Sequence, residues 1–320
     1  MRRSSARGAV LRATAWGVVA AGALAPLVRK RVNAPPIVMQ TVAFAAPVGL
    51  CIAVRRSRAR DVAACGLQMW AYMAAYKAPH DDPDAQRRRV RVDYPILVDR
   101  ALGLGELPSL RLQRALAHEG PQGTEWDVLD RVLVWAHWMW FIVPHGSLVY
   151  ILVRRPRGFP RAAVMTYAVF DIGASFYWLL PTAPPWYAAS LRDEEGEGKP
   201  QVRRMMVEYG ELFWQGGWSS LYSVFGGNPL AAMPSLHFAT SVMAALLLAE
   251  VGPVAGALGF AYTATLGFAL VYLGEHYLVD LLAGAALAGA VHRLEPRAGP
   301  LVRRVGRGIA ALEAIAQETR

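Results

Sequence analysis

The amino-acid sequence predicts an all-α, polytopic membrane protein built as a helical bundle with about eight transmembrane helices. Hydrophobic residues make up 54% of the 320 residues and charged residues only 18%, whereas soluble domains usually carry about 25% charged residues. The mean hydropathy is positive, at +0.25. Long apolar runs alternate with short arginine clusters, a pattern typical of chains that cross a bilayer several times.

Eight apolar runs are candidate membrane spans, because a bilayer core requires about 20 apolar residues, with a range of about 17–25. They cover residues 10–28, 36–54, 61–77, 128–153, 161–181, 234–250, 253–273 and 276–293. The last five runs meet this requirement well. The run at 61–77 is short and contains Gln68, and the first run contains Arg12. These two therefore match the requirement less well.

The arginine clusters predict the orientation of the chain, because Lys and Arg are enriched in cytoplasmic loops. With eight spans, the clusters at 55–60, 154–161 and 293–307 fall on the same side as both termini. That side is then cytoplasmic, while the cluster at 29–31 falls on the opposite side and disagrees. The abundance of alanine and arginine favours a bacterial plasma membrane.

This topology divides the chain into four parts. We predict N-terminal transmembrane helices in residues 1–80, a polar outer-face segment in 81–127, a transmembrane core in 128–293 with an outer loop at 183–232, and a basic cytoplasmic tail in 294–320. Within the outer-face segment, residues 109–118 are predicted to form a short amphipathic helix.

The net charge of +10 points to membrane lipids rather than nucleic acid as partners. The arginines lie beside apolar runs, where anionic lipid headgroups and topology account for them, so no nucleic-acid partner is expected. Two cysteines, Cys51 and Cys65, are too few for a disulfide framework or a four-thiolate metal site. The sequence does not indicate the oligomeric state.

Two short stretches of sequence contain the polar residues best suited to catalysis. One contains Pro234-Ser235-Leu236-His237, and the other contains Gly274-Glu275-His276-Tyr277-Leu278-Val279-Asp280. Each histidine lies at the predicted start of a helix, and span counting places both starts at the outer membrane face. His276 and Asp280 are four positions apart, so a helix would present them on one face.

Two histidines with a carboxylate are suited to phosphoryl transfer. In this interpretation His276 attacks phosphorus and forms a phosphohistidine, Asp280 accepts the other ring N–H, and His237 exchanges a proton with the leaving group and the acceptor. Three alternatives remain at this point: interfacial histidines bonded to carbonyls, a zinc site built from two His and one Asp, and the proton relay of a transporter. We expect no metal and no cofactor.

The two stretches resemble the second and third signature motifs of the type 2 phosphatidic acid phosphatase superfamily. Leu236, Ala183-Pro184-Pro185-Trp186-Tyr187 and the aromatic run from Tyr272 to Tyr277 are similar to the branch that contains fungal inositol phosphorylceramide synthase. The resemblance covers about residues 95–290. It implies the same roles for His276, Asp280 and His237, and a catalytic core of six helices with its site on the non-cytosolic side.

The resemblance also implies phosphate-binding cations that this sequence lacks. The first motif, Lys-x6-Arg-Pro, is absent, and Ala269-Leu270 occupies the place of the Ser-Arg pair in the third motif. We expect the outer segments to supply substitutes. The candidates for binding phosphate or substrate are Arg203, Arg204, Lys199, Arg111 and Arg114, together with Ser235, Trp186 and Tyr187.

The resemblance favours transfer of a phosphoinositol-like group from a phospholipid to a lipid hydroxyl. A lipid-phosphate phosphatase, with water as the acceptor, is the alternative within the same chemistry. Three further polar residues of the core are interpreted as structural. His137 and His145 are read as buried histidines satisfied by their neighbours, with a place in the lining of the site as the alternative. Asp171 is read as a hydrogen-bonding residue in helix packing, with a position facing the cavity as the alternative.

Overall fold

The computed structural model describes residues 2–29, 31–32, 34–120, 123–194, 202–218 and 228–318. These residues are almost entirely helical and separate into two units. One unit comprises the chain up to Asp81 together with the residues from Arg293 onward, and the other comprises Asp82–His292.

The first unit contains three helices from the N-terminal part of the chain. These are α1 (Arg2–Val28), α2 (Pro36–Ala53) and α3 (Arg58–Lys77), followed by a 3-10 turn at Ala78–Asp81. Small residues let α1 and α2 approach closely, as in many membrane helix pairs. A Cβ added at Gly22 would lie 2.6 Å from the Cβ of Ala46.

The second unit carries the remaining elements. They are α4 (Pro83–Arg87), α5 (Asp93–Leu102), α6 (Pro108–Leu116), a hairpin of β1 (His118–Gly120) and β2 (Gly123–Glu125), α7 (Val128–Trp138), α8 (Ile142–Arg154), α9 (Phe159–Leu179), α10 (Pro185–Glu194), α11 (Met205–Trp214), α12 (Leu236–Val251), α13 (Pro253–Tyr272) and the first part of α14 (Leu278–Gln317). A 3-10 turn at Met139–Phe141 joins α7 to α8.

The helices confirm the predicted class of all-α polytopic membrane protein. Among the described residues, five helical stretches are long and apolar enough to cross a bilayer: Ala6–Val28, Pro36–Ala53, Val128–Arg154, Phe159–Leu179 and Pro253–Tyr272. Helix α12 is also apolar but shorter. The predicted runs at 61–77 and 276–293 lie largely in α3 and at the start of α14, and their crossing of the membrane stays a prediction.

Helix α12 packs against α8, α9 and α13 in the second unit. Glycines on the neighbouring helices make these contacts close. A Cβ added at Gly259 would lie 2.9 Å from the Cα of Ala245, and Gly173 lies directly against the side chain of Leu236. The beginning of α12 is therefore held firmly between its neighbours.

The short amphipathic helix that the sequence predicts at residues 109–118 is present as α6. Its Gln113 is buried, whereas Arg111 and Arg114 are exposed. The Gln113 side chain accepts a hydrogen bond from the Arg203 backbone N–H and donates to the carbonyls of Arg203 and Tyr272, each at 2.9 Å. Helix α6 thus fastens the segment before α11 to the end of α13.

Candidate active site

The beginnings of helices α12 and α14 meet, and this contact organises the candidate site. Ser235 caps α12, since its hydroxyl accepts a hydrogen bond from Phe238 N–H at 3.3 Å. Its own backbone N–H donates to the Asp280 carbonyl at 3.0 Å. A Cβ at Gly284 would lie 2.5 Å from the Ser235 carbonyl oxygen, so this close approach requires glycine. The spacing between His237 and Asp280 follows from these contacts.

His276 lies in the turn between α13 and α14. The chain reverses at Gly274, whose φ of 78° is a conformation that glycine adopts at little cost. The backbone N–H groups of Glu275 and His276 both donate to the Leu270 carbonyl, at 3.1 and 3.0 Å. These two hydrogen bonds to one carbonyl fix the backbone that carries the His276 ring.

The position of His276 corrects one prediction. Helix α14 begins at Leu278, so His276 precedes the helix and does not share a helical face with Asp280. The two residues still meet, because Asp280 Oδ2 turns back to accept the Tyr277 N–H at 2.9 Å and lies 3.3 Å from His276 Nδ1.

A buried carboxylate that the sequence analysis missed caps α14. Asp99 on α5 accepts hydrogen bonds from Leu278 N–H at 2.9 Å and Val279 N–H at 2.8 Å, and it is fully buried. Burial raises the pKa of Asp99, although both backbone donors act in the opposite direction. The signal available in the sequence was an acidic residue three positions after an apolar one, Ile96, a spacing that places both on one face of a helix.

The predicted catalytic residues form a hydrogen-bonded row. Asp280 is fully buried and His276 is 4% exposed. His276 Nδ1 lies 3.3 Å from Asp280 Oδ2, and its Nε2 lies 3.2 Å from His237 Nδ1. Since the carboxylate accepts from Nδ1, the Nε2 atom of a neutral His276 is an acceptor and His237 Nδ1 donates to it. The row therefore leaves the His276 lone pair on the side of His237.

This row differs from a metal site. A metal requires its ligands to converge on one point, whereas here each side chain bonds to the next. Among the described residues, no group of three or more His, Cys, Asp or Glu side chains could hold a metal ion.

A third histidine lies beside this row. The His137 ring on α7 stacks on the His237 ring with centroids 5.0 Å apart and planes 27° apart. Trp140 contacts His237 from another side, at 4.2 Å between centroids. Neither ring nitrogen of His137 has a hydrogen-bond partner among the described residues, although both are buried. The interpretation of His137 as a satisfied buried histidine is therefore wrong. For His145 it holds at Nδ1, which lies 2.8 Å from the Phe141 carbonyl, whereas the buried Nε2 has no hydrogen-bond partner among the described residues.

Arg204 is the predicted cation that lies next to the row. Its guanidinium donates two hydrogen bonds to Glu275, at 2.9 and 3.2 Å, and lies over the Trp186 ring at 3.8 Å. The backbone N–H of Trp186 donates to the Gly274 carbonyl at 3.3 Å. Arg204 is thus tied to the same turn that carries His276.

The ion pair with Arg204 determines the charge of Glu275. Burial alone would raise the pKa of Glu275, but the charge and hydrogen bonds of Arg204 outweigh burial and hold this pKa below its usual value. Because the folded-state pKa is depressed, the pair stabilises the fold above the usual carboxyl pKa. That contribution is lost as the pH falls through the folded-state value.

The other predicted cations lie elsewhere. Arg111 and Arg114 are exposed and pair with Glu106, at 3.3 and 2.5 Å, and no hydrogen bond or ion pair joins them to the histidine row within the described ranges. Arg203 directs its side chain to Glu208. Lys199 lies outside the described residues.

Two further residues of the predicted substrate set have structural contacts. Ser235 is fully buried as the cap of α12. Tyr187 packs against the buried cluster that contains Tyr277, beside Trp186 with ring centroids 5.5 Å apart. Ser235 thus caps the helix that carries His237, and Tyr187 contacts the Trp186 ring.

The fold and the site define a polytopic helical membrane protein in which two histidines and an aspartate meet at the beginnings of two helices. The chain belongs to the PAP2 superfamily, whose family model matches residues 98–294. This match confirms the superfamily that the motifs indicated.

The chain is also similar to curated proteins of the predicted branch. It is 31% identical over 170 residues to the phosphoinositol dihydroceramide synthase of Bacteroides thetaiotaomicron, covering 51% of this chain and 54% of that protein. It is 28% identical over 180 residues to the inositol phosphorylceramide synthase catalytic subunit of Schizosaccharomyces pombe, covering 52% and 40%. The chain thus spans about half the length of these relatives or less. No solved structure matches the chain.

Proposed function

We propose that the protein is a membrane phosphotransferase that moves a phosphoinositol-like head group from a phospholipid to a lipid hydroxyl through a phosphohistidine. The observation that carries this proposal is the row from Asp280 through His276 to His237, with contacts of 3.3 and 3.2 Å. The similarity to a phosphoinositol dihydroceramide synthase of Bacteroides and an inositol phosphorylceramide synthase subunit of Schizosaccharomyces supports the head group and the acceptor class. The arginine clusters support an active site at the outer face and cytoplasmic termini.

The first step forms the covalent intermediate. His276 Nε2 attacks the phosphorus of the donor, a nitrogen–phosphorus bond forms, and the bond to the diacylglycerol oxygen breaks. A protonated His237 gives its Nδ1 proton to that oxygen. Asp280 accepts the remaining N–H of His276 and stabilises the positive charge that develops on the ring.

The second step reverses the proton transfer. His237 takes the proton of the acceptor hydroxyl, whose oxygen attacks phosphorus while the nitrogen–phosphorus bond breaks. His276 is released as a neutral imidazole, and His237 is again protonated for the next cycle. Atoms and protons therefore balance without a metal or a further reactant.

The resting geometry requires one movement before the first step. Reacting atoms approach to about 3–3.5 Å in a near-attack arrangement, and the leaving oxygen must also lie within about 2.6–3.2 Å of its proton donor. The two histidine nitrogens are only 3.2 Å apart, so phosphorus and the leaving oxygen cannot fit between them. Binding of the donor therefore breaks the His237–His276 hydrogen bond.

Arg204 supplies positive charge for the phosphoryl oxygens in this proposal. Phosphoryl transfer depends on cations around the non-reacting oxygens. Glu275 and Trp186 hold the Arg204 guanidinium at the turn that carries His276. A planar guanidinium also suits phosphate recognition.

Arg204→Gln is expected to lower kcat/KM by roughly 10²–10³-fold, comparable to removal of one preorganised charge-stabilising group. The matched control is Arg203→Gln, since Arg203 is adjacent in sequence but pairs with Glu208. The double variant Arg204→Gln, Glu275→Gln avoids an unpaired buried carboxylate and separates charge loss from misfolding. Equal losses in the variants at 203 and 204 would argue against the role of Arg204.

His237→Ala is expected to reduce turnover of a natural phospholipid by about 10²–10⁴-fold, the usual contribution of a general acid. A p-nitrophenyl ester of inositol phosphate has a leaving group that needs no proton, so the step that forms the intermediate should slow far less with it. Single-turnover release of p-nitrophenol measures this step. Equal loss with both substrates would contradict the acid role.

The lipid products test the proposed function directly. Purified enzyme in lipid vesicles is incubated with labelled phosphatidylinositol and a total lipid extract, and the products are separated and identified by mass spectrometry. A new labelled phospholipid supports transfer to a lipid hydroxyl. Free inositol phosphate, or inorganic phosphate, would instead identify water as the acceptor and overturn the transferase proposal.

A further inference from the structure

The chemistry proposed above makes no use of His137. This histidine is the penultimate residue of α7, and its ring stacks on His237. Both of its ring nitrogens are buried and without a hydrogen-bond partner in the described part of the chain. Buried polar side chains in folded proteins are normally paired, so a pair of unpaired nitrogens requires an explanation.

The hydroxyl groups that follow His237 on helix α12 are engaged with other partners. Thr240 accepts a hydrogen bond from Trp140 Nε1 at 2.9 Å and donates to the Leu236 carbonyl at 2.7 Å. Ser241 donates to the His237 carbonyl at 2.8 Å. These two hydroxyl groups therefore bond to other residues and not to the His137 nitrogens.

The His137 ring is joined to the site through His237. His137 stacks on His237, and His237 Nδ1 lies 3.2 Å from His276 Nε2. The turn that carries His276 also holds Arg204 through Glu275. A neutral imidazole at this position offers one N–H donor and one acceptor nitrogen to a bound group.

We infer that His137 binds substrate, with its ring N–H donating a hydrogen bond to a non-bridging phosphoryl oxygen of the donor lipid. This inference rests on the proposed function and extends it. A phosphodiester has two non-bridging oxygens; Arg204 binds one and His137 the other. The ring stack on His237 keeps His137 beside the reacting group, and the phosphoryl group is the partner that satisfies its buried nitrogen.

A purely positioning role for His137 makes a different prediction. If the ring served only as a surface for His237, any planar ring of similar size would replace it. If the nitrogen binds a phosphoryl oxygen, phenylalanine cannot replace His137 in binding, because its ring has no nitrogen. Glutamine can replace it in part, because its amide still offers an N–H group. His137→Phe and His137→Gln therefore separate the two roles.

Vanadate, a small mimic of the phosphoryl group, tests the inference without depending on the lipid donor. Its dissociation constant is measured from the shift in Tm of the purified full-length protein. We expect His137→Phe to weaken vanadate binding by about 10- to 100-fold, the loss of a hydrogen bond to a charged group. His137→Gln should bind vanadate more tightly than the Phe variant. The matched control is His145→Phe, since His145 bonds to the Phe141 carbonyl and not to the row.

Wild-type affinity in His137→Phe, or a weaker affinity in His137→Gln than in His137→Phe, would overturn the inference. The Phe variant should keep its Tm without vanadate, because it removes buried polar atoms that have no partner. If that variant fails to fold, His137→Leu is compared with His137→Gln in its place. Failure of wild-type enzyme to transfer a head group from phosphatidylinositol would refute the proposed function and leave the vanadate comparison intact.

Discussion

His276→Ala is expected to lower turnover by about 10⁴-fold or more and to abolish any acid-labile phosphoenzyme. Removal of a nucleophile that acts together with its partners eliminates nearly all of the catalytic advantage. His276 Nδ1 lies next to Asp280, and its Nε2, on the side of His237, is the atom proposed to attack phosphorus. No other histidine contacts that carboxylate among the described residues. Rapid quenching with phospholipid labelled in its head group measures the intermediate, and steady-state product formation measures turnover.

The control for this experiment is another histidine of the same unit. His292 pairs with Glu250 at 3.2 Å and makes no contact with the row, so His292→Ala should retain both activity and the intermediate. Normal turnover in His276→Ala would end the phosphohistidine proposal. Label recovered on His237 in that variant would show that His237, and not His276, is the nucleophile.

The sequence predicted which side chains of the row would meet, but part of the geometry on which that prediction rested was wrong. Span counting brought the starts of two helices to one membrane face, and the Ser235–Asp280 backbone contact joins these starts. The four-residue spacing suggested a shared helical face for His276 and Asp280. Instead, Gly274 turns the chain before the helix begins, and Asp280 reaches back across that turn.

Residues far from the motifs could not be assigned in this way. Asp99 caps α14 from 179 residues away in the chain, and His137 reaches His237 from another helix. Such contacts depend on how whole helices pack, which no local spacing records. A histidine within an apolar span was the usable signal for His137, because polar residues within membrane spans are often functional.

The cations show a similar division between local and distant contacts. Arg111 and Arg114 have a nearby acidic residue, Glu106, which lies five and eight positions away. That proximity in sequence was available as a signal for a surface ion pair. Arg204 pairs with Glu275 from 71 positions away. Composition alone could not rank these arginines, because all of them lie in predicted outer segments.

Asp280→Asn is expected to lower kcat by roughly 10³–10⁴-fold with little change in KM, as in other triads whose orienting carboxylate becomes an amide. Asp280 Oδ2 accepts from both Tyr277 N–H and the His276 ring. The amide has a single oxygen and no charge, so it cannot stabilise the cationic ring that forms when His276 attacks phosphorus. Steady-state kinetics on the purified enzyme measures the separation of kcat from KM.

Asp99→Asn is the matched control, because Asp99 is also fully buried and accepts two backbone N–H groups at the same helix end. Its loss should lower Tm, with a smaller effect on kcat. If Asp280→Asn instead lowers Tm and leaves kcat within about tenfold, a change smaller than triads of this kind show, then Asp280 is only a helix cap. A large fall in kcat at nearly unchanged Tm requires the carboxylate to act on the His276 ring itself, which makes the row a chemical unit as well as a structural one.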